Sequence, residues 1–178
     1  MNASQMSFAA LLLFGLLLTA CKKPDFATEV GNGTFNWDQL EQRINEGLSP
    51  NTYLGDKPLL NYAAFIGRAD AVEVLLRNGA DFRLGTRSLG RPALFEAAYS
   101  GNIKIATLLL DAGLDPNVKD ITGTTPLRNA AIGKRPKMVE FLISRGADPK
   151  SSDRQGLSVI EQVKDGTTPE IMALLRVP

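Results

Sequence analysis

Residues 123–149, GTTPLRNAAIGKRPKMVEFLISRGADP, carry two apolar stripes. Leu127, Ala130 and Ala131 mark the first, and Val139, Leu142 and Ile143 the second, both at helical spacing. The pattern predicts two short amphipathic helices in succession. Thr125-Pro126 predicts the start of the first, a capping hydroxyl followed by a ring-fixed φ. Gly146 follows the second stripe, as Gly113 follows an earlier one, where a left-handed C-cap belongs. The start of the chain is patterned differently. Residues 8–20, FAALLLFGLLLTA, are apolar apart from Thr19, a run shorter than the about 20 residues that span a bilayer. Residues 22–33, KKPDFATEVGNG, hold Pro24, Gly31 and Gly33 and no clear periodicity. They predict a flexible tether reaching roughly 20 Å as a coil.

The two-stripe pattern recurs. Gly90, Leu94, Ala97, Ala98, Leu109, Gly113, Asp115 and Pro116 return 33 residues later at Gly123, Leu127, Ala130, Ala131, Leu142, Gly146, Asp148 and Pro149. Upstream, Leu60, Ala63, Ala64, Gly67, Leu75, Leu76, Gly79 and Asp81 precede their counterparts by 34, which places one extra residue in the loop around 84–89. Downstream, Gly156, Ile160, Pro169 and Leu175 continue the period of 33.

A 33-residue period with TPL, AA, LL and GADP resembles the ankyrin repeat. The resemblance covers residues 35–178. It implies an all-α solenoid of stacked helix-turn-helix units with hairpin-like loops: a partial cap at 35–55, full repeats at 56–89, 90–122 and 123–155, and a C-terminal cap at 156–178. In the first cap, Trp37, Leu40 and Ile44 share one helical face. The paired alanines let neighbouring helices approach closely. No unit can bury its face alone, so stacking builds the core. The sequence departs from the family where a His usually follows TPL. Asn61, Phe95 and Arg128 stand there, which bears on local hydrogen bonding and not on the fold. Thr-Pro is displaced in the first two copies and Asp56 replaces a leading Gly, so the N-terminal half is expected to be less regular.

In ankyrin proteins partners contact the loop tips and the exposed face of each first helix. The resemblance carries that role to Phe65, Ile66, Tyr99, Ser100, Ile132 and Gly133 after the AA pairs. Around the leading Gly it carries it to Tyr53, Lys57, Arg87, Arg91, Ile121, Thr124, Arg154 and Gln155. Phe65, Tyr99 and Ile132 occupy equivalent places and should form one row; the alternative is that they are core residues. The basic members imply a partner with an acidic patch, or are simply solvated charges. The free chain is expected to be a monomer.

The chain's single cysteine ends Leu18-Thr19-Ala20-Cys21. This resembles the lipobox of bacterial lipoproteins. It implies a signal peptide at 1–20, acylation of Cys21, and a tether at 21–34 holding the domain at the periplasmic face of a membrane. Lys22 in place of Asp favours the outer one. Two or three acyl chains anchor stably where one does not, at about 0.8 kcal/mol per buried CH₂. Residues 1–20 lack Lys and Arg, unlike most such signals. The alternative is a buried helix carrying a buried thiol.

Composition removes most chemistry. Histidine is absent, which excludes Ser-His-Asp and Cys-His catalysis, His-ligated zinc and the usual near-neutral proton shuttle. One cysteine excludes an intrachain disulfide. A net charge of +1 gives no overall basic field for nucleic acid. No phosphate-binding loop or nucleophile motif is present. Asp81, Asp115 and Asp148 recur as the loop requires, unlike an active site. No enzymatic activity, cofactor or metal is therefore expected. Binding is, either as an antidote to a secreted antibacterial toxin or as an adaptor for an envelope enzyme. An effector aimed at a eukaryotic host fits the anchor less well.

Overall fold

The computed structural model describes residues 26–176. Leu18-Thr19-Ala20-Cys21, and with it the expected signal peptide and lipidation site, lies outside them. Among the described residues no helix is long and apolar enough to cross a membrane. The chain divides into two units, one ending at Asn36 and one beginning at Trp37. That boundary falls two residues past the expected start of the repeat domain.

In the first unit the described part of the expected tether is folded. Helix α1 (Phe26–Gly31) is followed by Gly33 at φ +70°, and the N–H groups of Thr34 and Phe35 both donate to the Glu29 carbonyl. This turn sets the Phe35 ring edge-on to Phe26, with centroids 4.8 Å apart. The sequence signal was two aromatics nine residues apart, which no periodicity window registers.

The second unit opens with a 3₁₀ turn, Trp37–Gln39, and α2 (Leu40–Asn45). A hairpin follows, Tyr53–Leu54 against Lys57–Pro58, the only paired strands among the described residues. Three helix pairs come next: α3 (Leu59–Phe65) with α4 (Ala69–Arg77), α5 (Leu94–Ser100) with α6 (Ile103–Asp111), and α7 (Pro126–Ile132) with α8 (Pro136–Ser144). Helices α9 (Val159–Val163) and α10 (Pro169–Leu175) complete the array. The cap helix α2 packs on α4 and so stands in a second-helix place.

Equivalent residues make the core. Ala63, Ala64, Ala97, Ala98, Ala130 and Ala131 are fully buried, so adjacent first helices lie close, with α5 against α7 the most extensive contact. Leu75, Leu109 and Leu142 are likewise fully buried on the second helices, each removing apolar area worth about 1.5–3 kcal/mol. The second helices are also tied by charge: Arg77 meets Glu41 at 2.9 Å and Arg145 meets Asp111 at 2.6 Å. The recurring Asp81, Asp115 and Asp148 each accept the N–H of the residue two ahead, the local bond that makes Asp a turn residue.

The loop tips form a ladder. The N–H groups of Arg87, Ile121 and Arg154 donate to the carbonyls of Asp56, Leu89 and Thr122 respectively, one tip to the next. Thr125 does not cap α7 with its hydroxyl as expected. It holds extended backbone before Pro126, while its Oγ1 is buried without a partner.

Candidate protein-interaction surface

Phe65, Tyr99 and Ile132 end their first helices and stand out of the core, 57%, 54% and 42% exposed. The core alternative for them fails. Helical register explains the exposure: the alanine pair just before each takes the buried face, so the next residue turns outward. Ile66 is exposed beside Phe65. At the N-terminal end the row continues into further aromatics: Tyr62 lies tilted 6.3 Å from Phe65 and stacks on Trp37 at 6.1 Å.

Gly133, one of the sequence candidates, is a packing residue. A Cβ there would lie 2.3 Å from the Tyr99 carbonyl oxygen, so α7 reaches its position only with glycine. Arg135 Nε donates to the same carbonyl at 3.2 Å. Thr124 is also buried, its N–H donating to Asp120 Oδ1.

The basic residues separate into two groups. Lys57 pairs with Glu96, and its ammonium lies 4.9 Å from the centre of the Phe65 ring. Arg91 Nε donates to Asp120 Oδ2 at 2.8 Å, with the guanidinium over the buried Phe95 ring at 5.4 Å. Both are neutralised internally and help fix the loops, so neither is a free cation. Arg87 and Arg154 remain exposed at the tips, Arg87 stacked 4.5 Å over Tyr53. Ile121 is 51% exposed between them along the ladder.

Asp120 is the hinge of this arrangement. Its Oδ1 accepts from the Thr122 and Thr124 N–H groups and the Thr122 hydroxyl, and its Oδ2 from Arg91. Burial pushes the carboxyl up, but the Thr122 and Arg91 donors and the two N–H groups outweigh it and hold the group below the usual carboxylate range. The sequence motif pointed to Gly123 and Thr125-Pro126 and passed over this residue, although Asp153 repeats it 33 residues on.

The places of the missing His are filled in three ways. Asn61 is buried and donates from Nδ2 to the Arg91 carbonyl at 2.6 Å, bridging two units. Phe95 fills the site with apolar volume under Arg91. Arg128 leaves its Nε buried without an acceptor. It borders an open groove of about 620 Å³ beneath the last two loop tips, with Ile121, Arg154 and Leu157. Leu157, exposed, and Arg128 are surface features the sequence reading did not select. Among the described residues no group of three or more His, Cys, Asp or Glu side chains is placed to hold a metal.

A family model for ankyrin repeats in three copies matches residues 38–120 and 60–153. The chain belongs to the ankyrin-repeat family, and its repeats form a protein-interaction domain of a typically non-catalytic kind. Similar proteins include the ADP-ribosylation factor GTPase-activating protein AGD4 of Arabidopsis thaliana, 37% identical over 50% of this chain and 11% of that protein. The human SH3 and multiple ankyrin repeat domains protein 1 is 34% identical over 53% of this chain and 4% of that protein. The E3 ubiquitin-protein ligase Ufd4 of Drosophila melanogaster is 42% identical over 40% and 2% respectively. The chain spans a small fraction of each of these relatives, so the likeness concerns the repeats.

Proposed function

We propose that this chain is a lipid-anchored periplasmic immunity protein, which neutralises a secreted antibacterial toxin by covering the mouth of its active site. The observation that carries this reading is the exposed row of Phe65, Tyr99 and Ile132 at three equivalent positions. Large apolar side chains left in water at equivalent places of a repeat array favour a protein occupant, and aromatic anchors among polar groups suit a tight one. Leu18-Thr19-Ala20-Cys21 supports the anchor: acylation at Cys21 would hold the array on the membrane where an envelope-directed toxin acts. Occlusion needs rigidity and no turnover, in keeping with an interaction scaffold.

The test uses cells lacking the protein. Mixed with toxin-bearing siblings they are expected to die, and to be rescued by the full chain but not by Tyr99→Ala with Phe65→Ala. Equal survival of deleted and parental cells sinks the reading. Capture of the Cys21→Ser chain from its own host at near-equal stoichiometry with a resident envelope enzyme would replace it with the adaptor reading.

A further inference from the structure

We infer that the groove beneath the last two loop tips is a carboxylate-reading pocket: Arg128 and Arg154 take an Asp or Glu side chain of the protein partner, while Ile121 and Leu157 cover that residue's apolar neighbours. The inference deepens the interaction reading and rests on it, because it names the chemistry by which a partner is recognised.

One donor at the groove lacks an acceptor. Arg128 is the third residue of α7, and its Nε is buried with no hydrogen-bond partner. The Arg128 side chain borders the groove, so an acceptor that reaches the guanidinium with a local shift recovers the penalty of a buried donor left unmade. Arg154 stands at the tip, held there by its own N–H on the Thr122 carbonyl at 3.0 Å. Among the described residues neither guanidinium forms an ion pair, whereas Lys57, Arg68, Arg77, Arg91 and Arg145 all do. The guanidinium fork matches a carboxylate in two parallel bonds, which an ammonium does not.

The acids on the wall select the kind of anion. Asp153 Oδ1 accepts from the N–H groups of Gln155 and Leu157. Glu161 Oε2 accepts from the N–H and hydroxyl of Ser158, and these bonds hold its carboxyl below the usual range. Both acids already serve their own backbone. Their charge penalises a doubly charged phosphate more than a singly charged carboxylate. Exposed Ile121 and Leu157, 51% and 41% exposed, favour a carboxylate set in an apolar stretch over a free acid.

The experiment follows the Arg Nε–Hε signals by NMR in the full chain in detergent micelles. The signals are assigned with Arg128→Lys and Arg154→Lys. The probes are the blocked peptide acetyl-Ala-Leu-Glu-Leu-Ala-amide, its Gln counterpart, and inorganic phosphate. The Glu peptide is expected to shift the Arg128 signal saturably with a Kd on the order of 1 mM, about −4 kcal/mol for a single short contact. The Gln peptide should bind at least about tenfold more weakly, the loss expected of one charge-assisted pair. Arg154→Glu, which changes an exposed tip and leaves the core alone, should abolish the shift; Arg128→Lys should weaken the shift that the Glu peptide causes in the Arg154 signal. Three results overturn the pocket: no saturable shift, equal shifts from the Glu and Gln peptides, or tighter binding of phosphate. A chain with Arg154→Glu that still captures its protein partner at unchanged affinity also overturns it and leaves the proposed function standing. Failure of the parent chain to protect cells removes the immunity reading and leaves the peptide titration to decide the pocket.

Discussion

The second and third loop tips hold the same place in the array and are closed by different chemistry. At the third, Asp120 N–H donates to the Thr124 carbonyl four residues on, and the Asp120 carboxylate gathers three donors from its own turn. At the second, Thr86 N–H donates to Arg91 five residues on, and the Thr86 hydroxyl accepts from Leu89 and Arg91 at 3.3 Å each. The extra residue that breaks the 33-residue period lies in this turn, between Thr86 and Gly90. The longer turn takes support from outside: Asp56 of the preceding tip accepts from the Ser88 N–H and hydroxyl. A tip with a buried carboxylate closes its own turn and takes one further bond from Arg91 of the preceding tip, whereas one with a hydroxyl relies on a carboxylate from its neighbour. The self-closed tip is the one that borders the groove with the unsatisfied arginine.

The comparison breaks most completely where the third unit meets the second. Gly133→Ala places a methyl 2.3 Å from the Tyr99 carbonyl oxygen. The obstacle is backbone and cannot rotate away, so about 3 kcal/mol is expected, the upper end for overpacking. Urea unfolding would read it as a lower midpoint. A midpoint equal to the parent's would show that α7 has room to shift. Next come the two tips themselves. Asp120→Ala removes four acceptor contacts and leaves Arg91 unpaired, at about 2 kcal/mol once its partial exposure is allowed for. Thr86→Ala should lose about 1 kcal/mol, two longer neutral bonds. Equal losses would erase the distinction between self-closed and neighbour-braced tips.

The same two tips separate by pH. The folded-state pKa of Asp120 lies below its ordinary value, so its contribution is fully present above the unfolded carboxylate range, about pH 4. It is lost as pH falls through the folded-state value. Asp70, held at about 2 by its bond to Arg68, follows the same sign, but it is an exposed pair and contributes little. Asp120→Asn should therefore flatten the acid limb of a stability profile measured from pH 6 to 2, and Thr86→Ala should leave its slope unchanged. A parental slope in Asp120→Asn would place the titrating group elsewhere.

Most of the array was legible because it repeats. Leucines and alanine pairs recur at 33 or 34 residues, and each recurrence is an independent reading of the same buried face. The insertion near residue 86 was legible for the same reason, as a break in the period. The exposed row followed from register alone, since the residue after an alanine pair faces out. What the pattern could not supply was pairing between residues far apart in the chain. Lys57 and Arg91 look like free cations until Glu96 and Asp120, 39 and 29 residues away, are brought against them. Arg128 was visible as a departure from a family position, but its buried, acceptor-less Nε depends on three walls that only folding assembles. The folded turn at residues 26–35 escaped because one ring-to-ring contact leaves no period to detect.

The smallest effect tests the repeat logic at a single backbone angle. In the three full repeats the first helix is followed by a residue in left-handed conformation: Gly67 at φ +78°, Gly101 at +80°, and Lys134 at +55° in the third unit. Lys134 is the only described non-glycine residue with positive φ. A side chain in that region costs about 1–2 kcal/mol, partly offset because lysine leaves a less disordered unfolded chain than glycine would. Lys134→Gly should therefore stabilise the chain by about 0.5–1 kcal/mol. Gly67→Ala, where a Cβ meets only Asn102 at 3.9 Å, should lose about 1 kcal/mol from conformational strain alone. Thermal unfolding of the pair reads the same geometry from opposite sides. If Lys134→Gly fails to stabilise while Gly67→Ala destabilises, a lysine contact at 134 outweighs its strain. That result would make the third unit's departure from glycine a surface feature, in the hollow it lines with Ser100 and Met138.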